Sequence, residues 1–532
     1  MRQFNLIDEK WIPVRFSDGA HDELGIRDTL LRAKEIAAIE DASPLVMAAL
    51  HRFLLAVLYR ALEGPTDIGQ AKKLFKDGLP EEKLKEYLEQ WRDRFWLFDE
   101  KYPFGQVPTF EPNNWRAWSA LAVEHNADNA KVLFDHMVID TAGTISSAAA
   151  TRWLLATQTF AVSSGKSEIS HTGTAPSAGS VMVIPIGVNL LDTLIFCLVP
   201  QNRIVMQADV PLWEKVPESL EYLKTKAQVL DKKSGENKDR TVERVASGIV
   251  DLYTWRTRSV LFKEVLSGFI SHLGFASGVG YKDAIDCDPM LAYTIKEIAE
   301  KGTTEKIKKR FSIQFEERGI WRDFDSLLPD DTNLSPKVID NAVELTKKDL
   351  TRFPRGIMTL GQRYFPPRPN IAFWRKEHFA LPVALSGDRS VRSEIHQLLA
   401  DAETTQKALW SACSSFARNL LSRGDRPPDK KDVQQFVDQM SVSPLYWSIL
   451  EANFHTLLAD FTLEQSSEDI RFQWLKSVRS AVQTAWNQHR TSVATGDAWA
   501  IRALVKAEEP VRRKLYELNQ EIQKLEPKEE AV

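Results

Sequence analysis

At 532 residues the chain exceeds what one hydrophobic core organises, so two or more domains are expected. With 43% apolar and 27% charged residues it has the composition of a globular protein rather than a disordered or fibrous one. The net charge of −4 excludes a globally basic, histone-like binder but leaves room for a local basic face, because steering depends on where charge sits.

The opening Phe4–Val14 reads as a strand, followed by a turn at Ser17-Asp18-Gly19. Ser43-Pro44 has the chemistry of a helix start, and Val46, Leu50, Leu54, Val57 and Leu58 recur at helical spacing. A further helix is predicted over Glu81–Phe95. The stretch Phe98–Ala148 is rich in Pro, Asn, Gly and Asp and reads mainly as loop. Ser146–Gln158 reads as helix, and Val181–Val199 as short strands around Pro185 and Gly187. The charged segment Asp231–Arg244 is expected to be an exposed loop or short helix. Strand-like pieces follow at Ser259–Val265, Ala292–Ile295 and Phe311–Phe315. Beyond Ser386 the pattern changes to long amphipathic helices. Their apolar faces are Ile395–Leu420, Leu445–Phe461, Ile470–Ala485 and Ala503–Leu525, the last kinked at Pro510. The expected fold class is α+β: an irregular mixed α/β domain over residues 1–380, then a C-terminal four-helix bundle over 387–528.

The apolar stretches Pro44–Leu62 and Val181–Val199 are broken by His51, Arg52 and Asp192. Neither matches the roughly 20 uninterrupted apolar residues of a membrane span. The N-terminus lacks the apolar core of a signal peptide, so a cytoplasmic location is expected. Cys197, Cys287 and Cys413 form no Cys-x-x-Cys pair, which argues against a disulfide framework or a structural zinc site. Gly165-Lys166-Ser167 resembles the end of a phosphate-binding loop, but its first glycine position holds Phe160. Asp286 and Asp288 beside Pro289 read as loop residues, and His136 with Asp140 as surface polarity. No residue pattern specifies a reaction.

Positive chemistry is concentrated elsewhere. Lys347–Lys376 holds Lys347, Lys348, Arg352, Arg355, Arg363, Arg368, Arg375 and Lys376 against Asp349 alone. Phe353, Tyr364, Phe365, Phe373 and Trp374 are interleaved. Cations meet phosphates while aromatic planes pack on sugars or bases, so the window suits a nucleic-acid contact. A solvated basic face with its aromatics turned into the core would have the same composition. Lys306, Lys308, Lys309 and Arg310 form a weaker basic patch, read as solvated surface. The fifteen tryptophans point to extensive core and interface surface.

The order of motifs also carries a resemblance. FNLIDEKWIPVR at the start, Tyr102-Pro103-Phe104-Gly105-Gln106, Asp251–Arg256, Asp288-Pro289 and the helical C-terminus together resemble the CasA family, the large subunits of type I-E CRISPR Cascade complexes. The resemblance covers essentially the whole chain. It implies a subunit without catalytic residues, metal or cofactor that recognises the protospacer-adjacent motif (PAM) in double-stranded DNA. Such a subunit helps open the duplex and helps recruit a nuclease-helicase, while the guide RNA (crRNA), held with the other Cascade subunits, reads the remaining sequence. By the same resemblance, Phe134 matches the family's leading aromatic and Ser163-Ser164-Gly165-Lys166 its glycine-rich loop. Lys282 matches its lysine finger, and Asn370 its strand-separating wedge; Asn370 falls inside the basic-aromatic window, whose Arg363 and Arg368 are expected to contact DNA phosphates. The chain has one glycine in that loop where relatives can have several, and asparagine where some have glutamine. The competing readings are a nuclease of unrecognised type and a protein-only scaffold.

Overall fold

The computed structural model describes residues 2–122, 143–162, 173–230, 235–266, 268–282, 288–299, 306–329, 334–365, 371–387, 390–422, 427–493 and 496–526. The chain divides into two compact units, Met1–Gly319 with Pro329–His378, and Ile320–Leu328 with Phe379–Val532. The architecture is α+β, with small sheets and helices in the first unit and long helices in the second.

The first unit is built around the helix Pro44–Leu62. Ser43 caps it by accepting a hydrogen bond from Val46 N, and proline occupies its first turn. It is the one helix among the described residues long and apolar enough to cross a membrane, yet every residue except Arg60 and Leu62 is buried within the unit. It packs on the helices Ser147–Phe160 and Ile249–Tyr253. An aromatic cluster of Trp11, Phe53, Phe95, Phe104 and Trp213 closes one side of this core. Around it lie sheets of two to four strands, antiparallel except for Glu243–Arg244 against Gly280–Tyr281.

Three local expectations are corrected. The opening strand is broken into Gln3–Asn5 and Ile12–Phe16. Asn5 Oδ1 accepts from Ile7 N and Trp11 Nε1 donates to Leu6 O, folding the intervening residues into a turn. Val181–Val199 is a strand, Met182–Ile186, and then a helix, Leu190–Cys197, started by Asn189 accepting from Asp192 N. Full burial hides the helical period of that segment, since every residue in it is buried, Asp192 and Thr193 included. The charged segment near Asp231–Arg244 contributes a strand, Asn237–Thr241, paired antiparallel with Lys226–Leu230.

The second unit contains the helices Val391–Leu421, Val442–Asp460 and Ser467–Ser492. The expected fourth helix is two, Ala498–Ala507 and Glu509–Leu525, meeting at Glu508 with Pro510 in the first turn of the second. A short helix, Lys430–Asp438, was not anticipated. Nor was Ile320–Leu328, which lies far upstream in the chain but belongs to this unit. Its Trp321 ring meets Phe454 at 5.1 Å, and its Phe324 ring meets Phe379 at 5.3 Å.

Candidate nucleic-acid interface

The site is best built from the strand Gly356–Tyr364, which joins Ile371–Phe379 across residues 365–370. At Gly361 a β-carbon would stand 2.5 Å from Ser180 O, so glycine lets the strand lie against the segment 173–180. Buried Gln362 donates from Nε2 to Phe160 O (2.6 Å) and Ala178 O (2.9 Å). Tyr364 packs on the buried trio Ala161, Ala175 and Ala178. One strand is thus fastened to the residues on both sides of the 163–172 segment.

A second fastening comes from Arg258, which is 1% exposed. Its guanidinium donates to Val162 O (2.7 Å) and Gly173 O (2.8 Å), while Ala175 N donates to Ala161 O (2.7 Å). Burial pushes the Arg258 guanidinium down to about 10. Carbonyl dipoles rather than a carboxylate solvate it among the described residues, so its charge is spent on pinning the two ends of this segment together.

A third fastening, the buried cation Arg52, comes from the central helix. It faces Asp288 Oδ2 at 2.8 Å, donates to Ser177 Oγ at 2.9 Å and lies 4.2 Å from the Tyr253 ring centroid. Asp288 also accepts from Tyr253 Oη (3.1 Å) and Met290 N (3.0 Å), and its own N–H donates to Tyr293 Oη (2.7 Å). Asp288 lies in a loop, as its sequence context suggests, but is buried there as an internal counter-charge. It ties the central helix to segment 173–180 and to the start of the next strand.

That strand, Tyr293–Ala299, pairs antiparallel with Lys306–Ser312 to form a ribbon. Lys296, Lys306, Lys308 and Lys309 are exposed on it. Lys296 lies directly opposite Lys309, a like-charge pair that costs stability in the absence of an anion, while Lys308 lies opposite Glu297. The patch read from sequence as ordinary solvated surface is a two-stranded basic arm.

Lys282 is exposed at the end of Gly280–Tyr281, and its N–H donates to Arg244 O at 2.9 Å. Arg244 is held in turn by buried Asp251, which also pairs with Lys215. Burial alone would raise the Asp251 carboxyl, but Arg244 and Lys215 hold it below its usual value. Arg244 stacks 4.0 Å over Trp255, whose ring meets Tyr281 edge-on at 5.3 Å.

These elements converge on a cleft of about 370 Å³. Thr174 and Ala175 line it from the end of the 163–172 segment, Tyr281 from beside Lys282, and Lys309–Ser312 from the ribbon, with Asp288 beneath. Among the described residues no group of three His, Cys, Asp or Glu side chains could hold a metal.

Of the residues singled out from the sequence, Lys282 and Arg363 are described. Phe134, Ser163, Ser164, Gly165, Lys166, Arg368 and Asn370 lie outside the described residues, as do His136, Asp140 and Asp286. Arg363 is engaged by Gln314 Oε1 at 2.8 Å and by Glu316 at 3.4 Å. The Lys347–Lys376 window does not form one patch. Arg352 pairs with buried Asp192 and covers Phe75, Lys347 pairs with Glu344, and Phe353 is buried. Arg375 donates to the carbonyls of Glu316 and Arg318. Arg355 and Phe365 are exposed. Arg258 and Arg52 were missed, although an arginine inside an apolar strand or helix is itself a signal of a buried partner.

Comparison with known proteins supplies the remaining context. The family profile described as CRISPR-associated protein Cse1 matches residues 5–485. A CRISPR-associated protein CasA/Cse1 of Thermus thermophilus is 31% identical over 98% of this chain and 99% of its own length. The crystal structure of a CRISPR-associated protein from the same organism superposes with a TM-score of 0.80 at 29% identity, covering 97% of this chain and 100% of that one. A chain of a CRISPR RNA-guided surveillance complex shares the fold with a TM-score of 0.71 at 18% identity, covering 98% of this chain and 100% of that one.

Proposed function

The chain belongs to the CRISPR-associated Cse1 (CasA) family, and from that premise we propose that it is the large, non-catalytic subunit of a type I-E Cascade surveillance complex. In this reading it recognises the PAM in double-stranded DNA, helps open the duplex beside it and helps recruit a nuclease-helicase. Its partners are the other Cascade subunits, the crRNA and the target duplex, with no membrane and no cofactor.

One observation carries the reading. Both ends of segment 163–172, the root of the strand pair around residues 366–370, the backbone of Lys282 and the basic ribbon are fastened to one framework around one cleft. Buried Arg258, Arg52 and Gln362, with the Arg244–Asp251 pair behind Lys282, do the fastening, so exposed polar groups can be presented in fixed relative positions at little entropic cost on binding. Lys282 and the Ser163–Lys166 loop read the minor groove, which separates A·T from G·C but is largely blind to pair orientation. Asn370 holds the first pair apart, Phe134 contributes a stacking face, and Arg363 and Arg368 contact the backbone. The like-charge pair Lys296–Lys309 is relieved when a phosphate lies over it.

The test is binding of the assembled complex to guide-matched targets that differ only in PAM, at several salt concentrations. Lys282→Ala should cost about 1–3 kcal/mol on preferred PAMs, the scale of one base-edge contact. Lys309→Ala should weaken all targets alike and lower the salt slope by about one. Arg363→Ala should lower it by less, because Gln314 and Glu316 already occupy its guanidinium. Unchanged PAM discrimination in Lys282→Ala would remove that residue from the reader.

A further inference from the structure

We propose that the cleft beside Lys282 is a binding site for a single unpaired nucleotide, occupied when the duplex is opened at this surface. The inference rests on the DNA-reading function proposed above and assigns a ligand to a cavity that this function does not itself require.

The lining has the three kinds of surface that one nucleotide needs. Tyr281, Tyr293 and Phe311 supply aromatic faces for a base. Ser180 and Ser312, whose hydroxyls lie 2.8 Å apart, each keep unused hydrogen-bonding capacity for a base edge. Lys309 and the partly exposed Arg310 supply cations for a phosphate. The orientation follows from charge. Asp288, 4% exposed, lies beneath the cleft with its carboxylate already committed to Arg52, Tyr253 and Met290. An anion is disfavoured there, so the neutral base enters and the phosphate stays near the exposed Lys309.

Size and position narrow the ligand further. About 370 Å³ lies at the lower end of the ~300–1,000 Å³ range of small-molecule sites and cannot admit a duplex. Lys282 adjoins the cleft through Tyr281, and Thr174 adjoins the 163–172 segment, so the cleft opens beside the residues proposed to read the groove next to the separated pair. A base that loses its partner there loses stacking as well. An aromatic cleft within reach replaces part of that stacking and so favours the open state.

The experiment places an abasic residue at each of the first few positions beside the PAM, on either strand of a guide-matched target. Affinity of the assembled complex is then compared with that for the intact duplex. In the wild-type complex, one position on one strand should show a loss of roughly tenfold, the scale of one base–aromatic stack. Its strand identifies whether the target or the displaced strand supplies the nucleotide. Thr174→Trp, which fills the mouth, and Phe311→Ala, which removes a wall, should each reduce that loss to below about twofold. Melting of each purified variant identifies one that has failed to fold, and the other then decides. No penalised position in the wild-type complex, or an equal penalty in a folded variant, overturns the proposal. Targets with different PAMs, titrated in parallel, keep two failures apart. Absence of any PAM dependence overturns the DNA-reading function itself, whereas PAM dependence without an abasic penalty overturns only the cleft.

Discussion

Asp288→Ala should destabilise the protein by about 3–5 kcal/mol, because it leaves Arg52 buried and without its counter-charge. Arg52 is 1% exposed in the middle of the central helix and has no route to solvent. Its remaining partners, Ser177 Oγ and the Tyr253 ring, are neutral. The same substitution strips acceptors from Tyr253 Oη and Met290 N. Breaking the pair is costly, whereas replacing both members with apolar groups need not be. The double variant Arg52→Met, Asp288→Leu should therefore lose less than Asp288→Ala alone. Urea unfolding of the wild type, Asp288→Ala, the single variants Arg52→Met and Asp288→Leu, and the double variant tests this. Additive losses in a full double-mutant cycle would mean that the two side chains are not coupled. Because Arg52 also tethers Ser177 beside the cleft, Asp288→Ala should lower PAM discrimination in whatever fraction stays folded.

Trp321→Ala should cost the helical unit about 3–5 kcal/mol, the usual range for deleting a large buried aromatic. Trp321 is 1% exposed and lies against Phe454 at 5.1 Å and Trp447 at 5.7 Å. Neighbouring Arg322 covers the Trp447 ring at 3.7 Å and pairs with Glu403, so Ile320–Leu328 is held at both a core and a surface position. A chain beginning at Phe379 lacks Trp321 and Phe324 and should unfold at lower urea than one with Ile320–Leu328 joined to it. Equal midpoints would show that the segment contributes little to this unit. A separable bundle is thus expected to need residues from far upstream in the chain.

The helical C-terminal unit was legible because amphipathic helices repeat their pattern over many turns. Ile395 through Leu420 marks one face, broken only at Thr405, and the observed helix is Val391–Leu421. What sequence missed has little periodicity to read. The helix Leu190–Cys197 is buried on every face, and Ile320–Leu328 joins its unit through tertiary contacts alone. The candidate site was read in a different way. Order of motifs pointed to Lys282, which the structure puts on an exposed strand end beside the cleft. The density of cations pointed to Lys347–Lys376, yet there the structure spends Arg352 and Arg375 internally. Charge counts do not separate a guanidinium that faces solvent from one that holds a carbonyl. The weaker patch at Lys306–Arg310 proved more exposed, because strand pairing with Tyr293–Ala299 lifts it onto a ribbon.

The central claim is that this chain reads the duplex flanking a guide-matched target. The most direct measurement compares the guided complex with and without this chain, on matched targets whose flanking PAM alone is varied. The account predicts that the complete complex separates preferred from non-preferred flanks by at least about tenfold, or 1.4 kcal/mol. It predicts further that the complex lacking the chain binds them alike, and that Lys282→Ala falls between the two. An undiminished preference in the complex without this chain would contradict the account.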